Sequence, residues 1–168
     1  QPSATGSNAI AIGDSATATA AHDVAIGLNA NATAQSNSPS LAMGKDADAS
    51  SGGISIGNYG SATGTYATAL GTSANATAIN ASALGNDAKS TASDAVALGK
   101  SRAASTNSIA GGINQNSTSY GTSGVNSVAF GTQARATNNS SASIGQSSIA
   151  SGYQSAAYGY GAYATGQD

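Results

Sequence analysis

Apolar and small residues alternate in short segments that recur along the whole chain, and each segment ends in a glycine. The segment Asp94-Ala-Val-Ala-Leu-Gly99 shows the pattern most clearly, because Val96 and Leu98 are two residues apart. An α-helix would place apolar residues three or four apart, whereas a period of two is that of a β-strand. Most copies begin 14 residues after the last, and the eleven copies end at Gly13, Gly27, Gly44, Gly57, Gly71, Gly85, Gly99, Gly112, Gly131, Gly145 and Gly159.

A second, smaller alternation follows each closing glycine. After Gly13 it consists of Ala16, Ala18 and Ala20, and turn-forming pairs such as Asn86-Asp87 separate it from the first alternation. Each repeat is therefore expected to be strand, turn, strand, turn, with the glycine at a corner. Such coils stack with parallel strands about 4.8 Å apart, which predicts an all-β fold: a parallel β-roll (solenoid) of about eleven 14-residue coils.

The repeat spans residues 1–168, which we interpret as a single repeat domain with two insertions, near 35–39 and 118–126. The pattern continues almost to the last residue, and repeat arrays normally carry distinct caps, so the chain is expected to be a segment of a longer one. No apolar run is long enough for a membrane span, and the first residues lack the pattern of a signal peptide. We therefore expect no direct contact of this segment with a membrane.

The large residues one and three positions before each glycine are expected to fill the inside of the roll. They form a predicted structural core of Ile10, Ile12, Val24, Ile26, Val96, Leu98, Val128, Phe130 and Ile144. The residue between them is nearly always alanine, which suggests close contact with another copy of the chain. The predicted trimer-facing residues are Ala11, Ala25, Ala42, Ala69, Ala83, Ala97, Ala110, Ala129 and Ala157. Alternatively, small residues there merely suit tight stacking of the coils.

Composition and charge exclude several classes of function. The chain has no cysteine, and its five Lys and Arg residues are scattered, which argues against nucleic acid as a partner. There is no glutamate, and the pair His22 and Asp23 is expected to lie in a solvated turn. Asp46 and Asp48 are too few oxygen ligands for calcium. We therefore predict no catalytic residue, no metal and no cofactor, and thus no enzyme.

The fourth residue after each glycine points outward and varies, as expected of a ligand-facing surface. With exposed tyrosines and one insertion, it supplies the predicted ligand-binding residues Asn75, Lys89, Asn116, Tyr120, Arg135, Tyr160 and Tyr163. The sixth residue after each glycine is always Thr or Ser. This column leaves an ice-binding surface as an alternative function, and a purely structural spacer is another.

With Asn126-Ser-Val-Ala-Phe-Gly131 and the 14-residue period, the chain resembles the head domain of a YadA-like trimeric autotransporter adhesin along nearly all of its length. The resemblance implies a left-handed β-roll and a side-by-side homotrimer. It further implies a virulence-associated head at a Gram-negative cell surface, tethered to the outer membrane by parts that this chain lacks. The implied function is multivalent, non-catalytic attachment to host extracellular matrix proteins or cell-surface receptors, or autoaggregation with heads on neighbouring cells.

Overall fold

The chain forms short strands and turns in a computed structural model that describes residues 1–34, 38–115 and 119–166. In chain order the strands are β1 (Ser3–Ala4), β2 (Ile10–Ile12), β3 (Thr17–Ala18), β4 (Val24–Ile26), β5 (Asn31–Thr33), β6 (Leu41–Met43), β7 (Asp48–Ser50), β8 (Ile54–Ile56), β9 (Ser61–Ala62), β10 (Thr68–Leu70), β11 (Asn75–Ala76), β12 (Ser82–Leu84), β13 (Lys89–Ser90), β14 (Val96–Ala103), β15 (Ile109–Gln115), β16 (Gly121–Thr122), β17 (Val128–Phe130), β18 (Arg135–Ala136), β19 (Ala142–Ile144), β20 (Ile149–Ala150), β21 (Ala156–Tyr158) and β22 (Tyr163–Ala164).

Two parallel sheets form the walls of the solenoid. The strands that precede the closing glycines pair with one another and make the motif sheet, and the strands that follow the glycines make the polar sheet. The register is that of the repeat, because Ala69 lies opposite Ala83 and Ala83 lies opposite Ala97. Strand β14 passes through the corner and belongs to both sheets. The predicted all-β parallel solenoid of about eleven coils is confirmed.

The closing glycines stack on one another at a corner of every coil. All eleven have positive φ, for example 120° at Gly13. A Cβ atom built on Gly13 would lie 2.5 Å from the carbonyl oxygen of Gly27, one coil further on. The corner therefore needs glycine for its backbone conformation and for the close approach of the next coil.

The interior of the solenoid contains alanine where the sequence analysis expects the large aliphatic residues. Every buried hydrophobic residue in the described part of the chain is an alanine. Among the residues predicted to face a neighbouring chain, Ala11 is partly buried and Ala157 is 3% exposed, while seven are fully buried: Ala25, Ala42, Ala69, Ala83, Ala97, Ala110 and Ala129. These alanines point into the roll, so that prediction is wrong.

The predicted core is wrong for the same reason, since its side chains project from the outer face of the motif sheet. Three of them are exposed, namely Ile10, Ile12 and Ile144, and the others are only partly buried: Val24, Ile26, Val96, Leu98, Val128 and Phe130. A coil this short brings its two walls so close that small side chains fill the space between them, alanine and serine in most coils and Thr122 in one. Close contact explains the small residues as expected, but the partner is the opposite wall of the same coil.

Gly111 replaces a large residue on the outer face and leaves no hole there. A Cβ atom on Gly111 would lie 2.3 Å from a carbon of the Phe130 ring. The ring therefore covers the position that an aliphatic side chain occupies in other coils, and Gly111 itself is buried.

The second insertion begins earlier in the chain than the sequence analysis places it. Gly121 pairs with Arg135, and Thr122 pairs with both Ala103 and Ala136, so residues 121–126 already follow the regular coil. The extra residues therefore lie between Gly112 and Gly121. Residues 116–118 of this insertion and residues 35–37 of the first lie outside the described part of the chain.

Candidate functional site

The outer face of the motif sheet carries two mostly apolar columns, which are the residues three and one positions before the closing glycines. Thr68 and Ser82 are polar members of the first column. Ile10 and Ile12 are 47% and 57% exposed, and neighbouring coils cover the others in part. Further members of the columns with more than a third of their surface exposed are Met43, Ile54, Ile56, Leu70, Ile109, Ile144 and Tyr158. A continuous apolar surface of this kind is typical of a face that contacts another protein.

The outer face of the polar sheet carries a different column, which we call the polar column. Its members are defined by strand register and not by counting from the glycines. They are Ser3, Thr17, Asn31, Asp48, Ser61, Asn75, Lys89, Arg102, Gly121, Arg135, Ile149 and Tyr163. Asn75, Lys89, Arg135 and Tyr163 lie in it as the sequence predicts. Arg102 is a member that the sequence analysis missed.

Arg102 was missed because counting four residues from Gly99 gives Ala103. The coil after Gly99 is one residue shorter, so Lys89 pairs with Arg102 and Ser90 pairs with Ala103. The one-residue shift brings Arg102 to the outer face and Ala103 to the interior, where it is fully buried. The 13-residue spacing to Gly112 was the available signal, but it does not show where the missing residue falls.

Hydrogen bonds satisfy the amino-terminal part of the polar column. The side-chain amide of Asn31 donates to the Asp48 carboxylate at 2.9 Å. At the neighbouring corner the side-chain amide of Asn29 donates to the Asp46 carboxylate at 2.8 Å. The cations further along have no such partners: within the described residues, the side chains of Lys89, Arg102 and Arg135 form neither an ion pair nor a hydrogen bond. Lys100, which lies outside the column, pairs with Asp87 at 3.3 Å.

The column of hydroxyl residues that suggests ice binding is interrupted in the structure. Thr91 donates its backbone N–H to Ala103, and Ala104 donates to Thr122, so Ala104 follows Thr91 in the stack. Counting six residues from Gly99 gives Ser105 instead. The flat hydroxyl array therefore has a gap in the middle of the solenoid.

The predicted aromatic contacts lie at the surface near the last coils. Tyr160 and Tyr163 are 82% and 67% exposed, and both are accessible to a ligand. Tyr120 is partly buried and directly precedes Gly121 of the polar column. Asn116, the remaining predicted ligand residue, lies outside the described part of the chain.

The residues considered for catalysis or metal binding serve the backbone. His22 has a φ of 65° in a turn and is exposed. Asp23 is fully buried, contrary to the solvated turn expected for it, and its carboxylate accepts N–H bonds from Ala20, Ala34 and Ser40 at 2.8, 3.1 and 2.8 Å. The described residues contain no group of three or more potential metal ligands and enclose no pocket. Nor do they include a helix of the length and apolarity that a membrane crossing requires.

Comparison with protein families places this geometry in a class. The model for the YadA head domain repeat matches residues 4–30, 62–88, 76–101, 123–148 and 143–168, which together make up more than half of the chain. The chain belongs to the YadA head domain family. This family is known for adhesion, and with the solenoid fold it points to a non-enzymatic protein at the cell surface. No curated protein matches the chain.

Proposed function

We propose that this chain is the head of a surface adhesin that attaches cells to host extracellular matrix proteins or cell-surface receptors, or to identical heads on neighbouring cells. The observation that carries the proposal is a solenoid of repeated coils whose two outer faces present long columns of side chains. Many weak contacts along such columns give strength through avidity, without a catalytic centre.

The apolar columns support association of three copies side by side. An isolated coil leaves Ile12, Ile144 and similar side chains largely in water, and complete burial of one such side chain contributes about 1.5–3 kcal/mol. A homotrimer with the motif sheets facing inward would cover both columns. It would leave the polar sheets on the outside, available to ligands.

Light scattering on wild-type chain and on a matched pair of variants tests this arrangement. Ile144→Ser, combined with Ile26→Ser and Leu98→Ser, removes apolar side chains from the motif sheet and should convert the trimer to monomer. Ile149→Ser, from the outer face of the polar sheet one half-coil later, should leave the trimer intact. Wild-type chain that is monomeric at all accessible concentrations would contradict the proposed interface.

A binding panel tests the adhesive function itself. Wild-type chain and the monomeric variant are each presented to immobilised extracellular matrix proteins and to cells. The trimer should bind at least one target, and the monomer should bind it more than tenfold more weakly because avidity is lost. Equal binding by monomer and trimer would exclude avidity as the basis of attachment.

A further inference from the structure

Lys89, Arg102 and Arg135 form a line of cations on the outer face of the polar sheet, which we call the basic ladder. Lys89 and Arg102 are directly opposite each other on adjacent strands, about 4.8 Å apart along the stack. Arg102 and Arg135 lie on either side of the Gly121 position, two strand spacings or about 10 Å apart. Three of the five Lys and Arg residues of a chain with net charge -2 are thus gathered on one column.

The basic ladder lacks the internal compensation found elsewhere on the surface. Like charges placed opposite each other on neighbouring strands are destabilising. Within the described residues none of the three cations has a carboxylate partner, whereas Lys45 and Lys100 each lie within 4 Å of one, namely Asp46 and Asp87. An external anion would relieve the repulsion.

Gly121 places no side chain between the two arginines. Its φ is 89°, and a Cβ atom there would lie 2.1 Å from the Arg102 carbonyl oxygen, so a side chain cannot occupy this position without moving the backbone. Every other member of the polar column carries a side chain. The arginines on either side of Gly121 carry guanidinium groups, which bind oxyanions through paired N–H donors.

We propose that the basic ladder binds a linear sulfated polysaccharide. Sulfate groups along such a chain accept hydrogen bonds from Lys89, Arg102 and Arg135. A single-stranded nucleic acid fits less well, because its binding uses aromatic side chains that stack on the bases. The strand neighbours of the three cations are Asn75, Gly121 and Ile149, and no aromatic residue is among them. The inference rests on the proposed adhesive function and names a class of ligand for it.

Heparin serves as the probe, with two double variants of equal charge. Lys89→Gln with Arg102→Gln removes two cations from the ladder, and Lys45→Gln with Lys100→Gln removes two from elsewhere. At physiological salt the ladder variant should bind heparin at least tenfold more weakly than wild type, and the control less than twofold. The dependence of affinity on salt should fall by roughly one unit of slope for each lost contact. Equal losses in the two variants would overturn the site, as would the absence of heparin binding by wild type.

Competition identifies the ligand. Hyaluronan, which carries carboxylates but no sulfate, and single-stranded DNA should both compete poorly, and effective competition by either would overturn the assignment to sulfated sugars. Circular dichroism and melting temperature verify that each variant is folded. If matrix proteins bind the ladder variant as they bind wild type while heparin binds neither protein, the ladder proposal fails and the adhesive function stands.

Discussion

On the motif sheet the outward side chains are mostly Ile, Val, Leu and Phe, whereas on the polar sheet they are mostly Thr, Asn, Asp, Lys and Arg, although the alanine walls behind both are alike. The inner walls are uniform because two close sheets admit only small side chains. The outer columns vary from Gly111 to Tyr158 on one sheet and from Gly121 to Arg135 on the other. The interior thus specifies the coil, and the outer faces are free to specify different partners.

The strongest test of this comparison exchanges the roles of two neighbouring residues in β14. Ala97→Leu forces three extra carbons between the walls and should destabilise the chain by about 3 kcal/mol or more, since overpacking of a tight interior is costly. Leu98→Ala removes an outer side chain and should cost an isolated chain less than about 1 kcal/mol. Chemical denaturation at several protein concentrations measures both.

Concentration distinguishes the two effects. The loss of unfolding free energy in Ala97→Leu arises within one coil and should be the same at every protein concentration. In Leu98→Ala, any loss larger than expected for the isolated chain arises between copies of the chain and should grow with protein concentration. If Leu98→Ala destabilised the dilute monomer more than Ala97→Leu does, Leu98 and not Ala97 would have to point into the roll.

The sequence was sufficient to predict the coil but not to predict which face of each strand points into the roll. Period-two alternation at Val96 and Leu98 identifies a strand, and the 14-residue spacing identifies a solenoid. Alternation alone, however, does not say which face is inside, and the usual rule that large apolar residues are buried fails when the walls are this close. The variety of the outer columns was the available signal, because a close-packed interior would not admit both Gly111 and Tyr158.

The candidate site was predictable only in part, for a related reason. Asn75, Lys89 and Arg135 lie in regular repeats, and counting from the glycine places them correctly. Arg102 and Gly121 lie in coils with a missing residue and with an insertion, where only the hydrogen-bonded register shows the column. The basic ladder is therefore invisible in the sequence, in which the cations are scattered.

Serines in the interior offer a finer test, because two of them differ only in the residue on the opposite wall. The hydroxyl of Ser143 lies 2.6 Å from that of Ser148, whereas Ser55 faces Gly60 and its Oγ has no partner. Ser55→Ala should therefore stabilise the chain by about 1 kcal/mol, since a buried hydroxyl without a partner is costly. Ser143→Ala should destabilise it by a similar amount.

Thermal unfolding of the two serine variants under identical conditions makes this comparison directly. The melting temperature should rise for Ser55→Ala and fall for Ser143→Ala. Changes of the same sign would mean that the opposite wall does not decide the role of an interior serine.

The smallest expected effect lies at the corner between the sheets, where Lys45 contacts the next coil. Its ammonium group donates a hydrogen bond to the Tyr59 hydroxyl at 2.8 Å, and this bond, with the charges of Tyr59 and Asp46, raises the pKa of Lys45 above the ordinary value of 10.5. A raised pKa means that the folded chain favours the charged form. The resulting contribution to the free energy of unfolding is fully present below the pKa of Lys45 in the unfolded chain. It is lost as the pH rises through the pKa of Lys45 in the folded chain.

Nuclear magnetic resonance titration of the lysine side chains measures this pKa shift. The Lys45 ammonium group is too exposed for the shift to alter folding stability appreciably. Tyr59→Phe should return the pKa of Lys45 towards its ordinary value, because both the hydrogen bond and the nearby phenol are removed. Tyr66→Phe is the matched control, since the Tyr66 hydroxyl contacts Ser38 and not Lys45. If the pKa of Lys45 were unchanged in Tyr59→Phe, the hydrogen bond between Lys45 and Tyr59 would not connect these two coils. The difference between the motif sheet and the polar sheet would then depend on their outer columns alone.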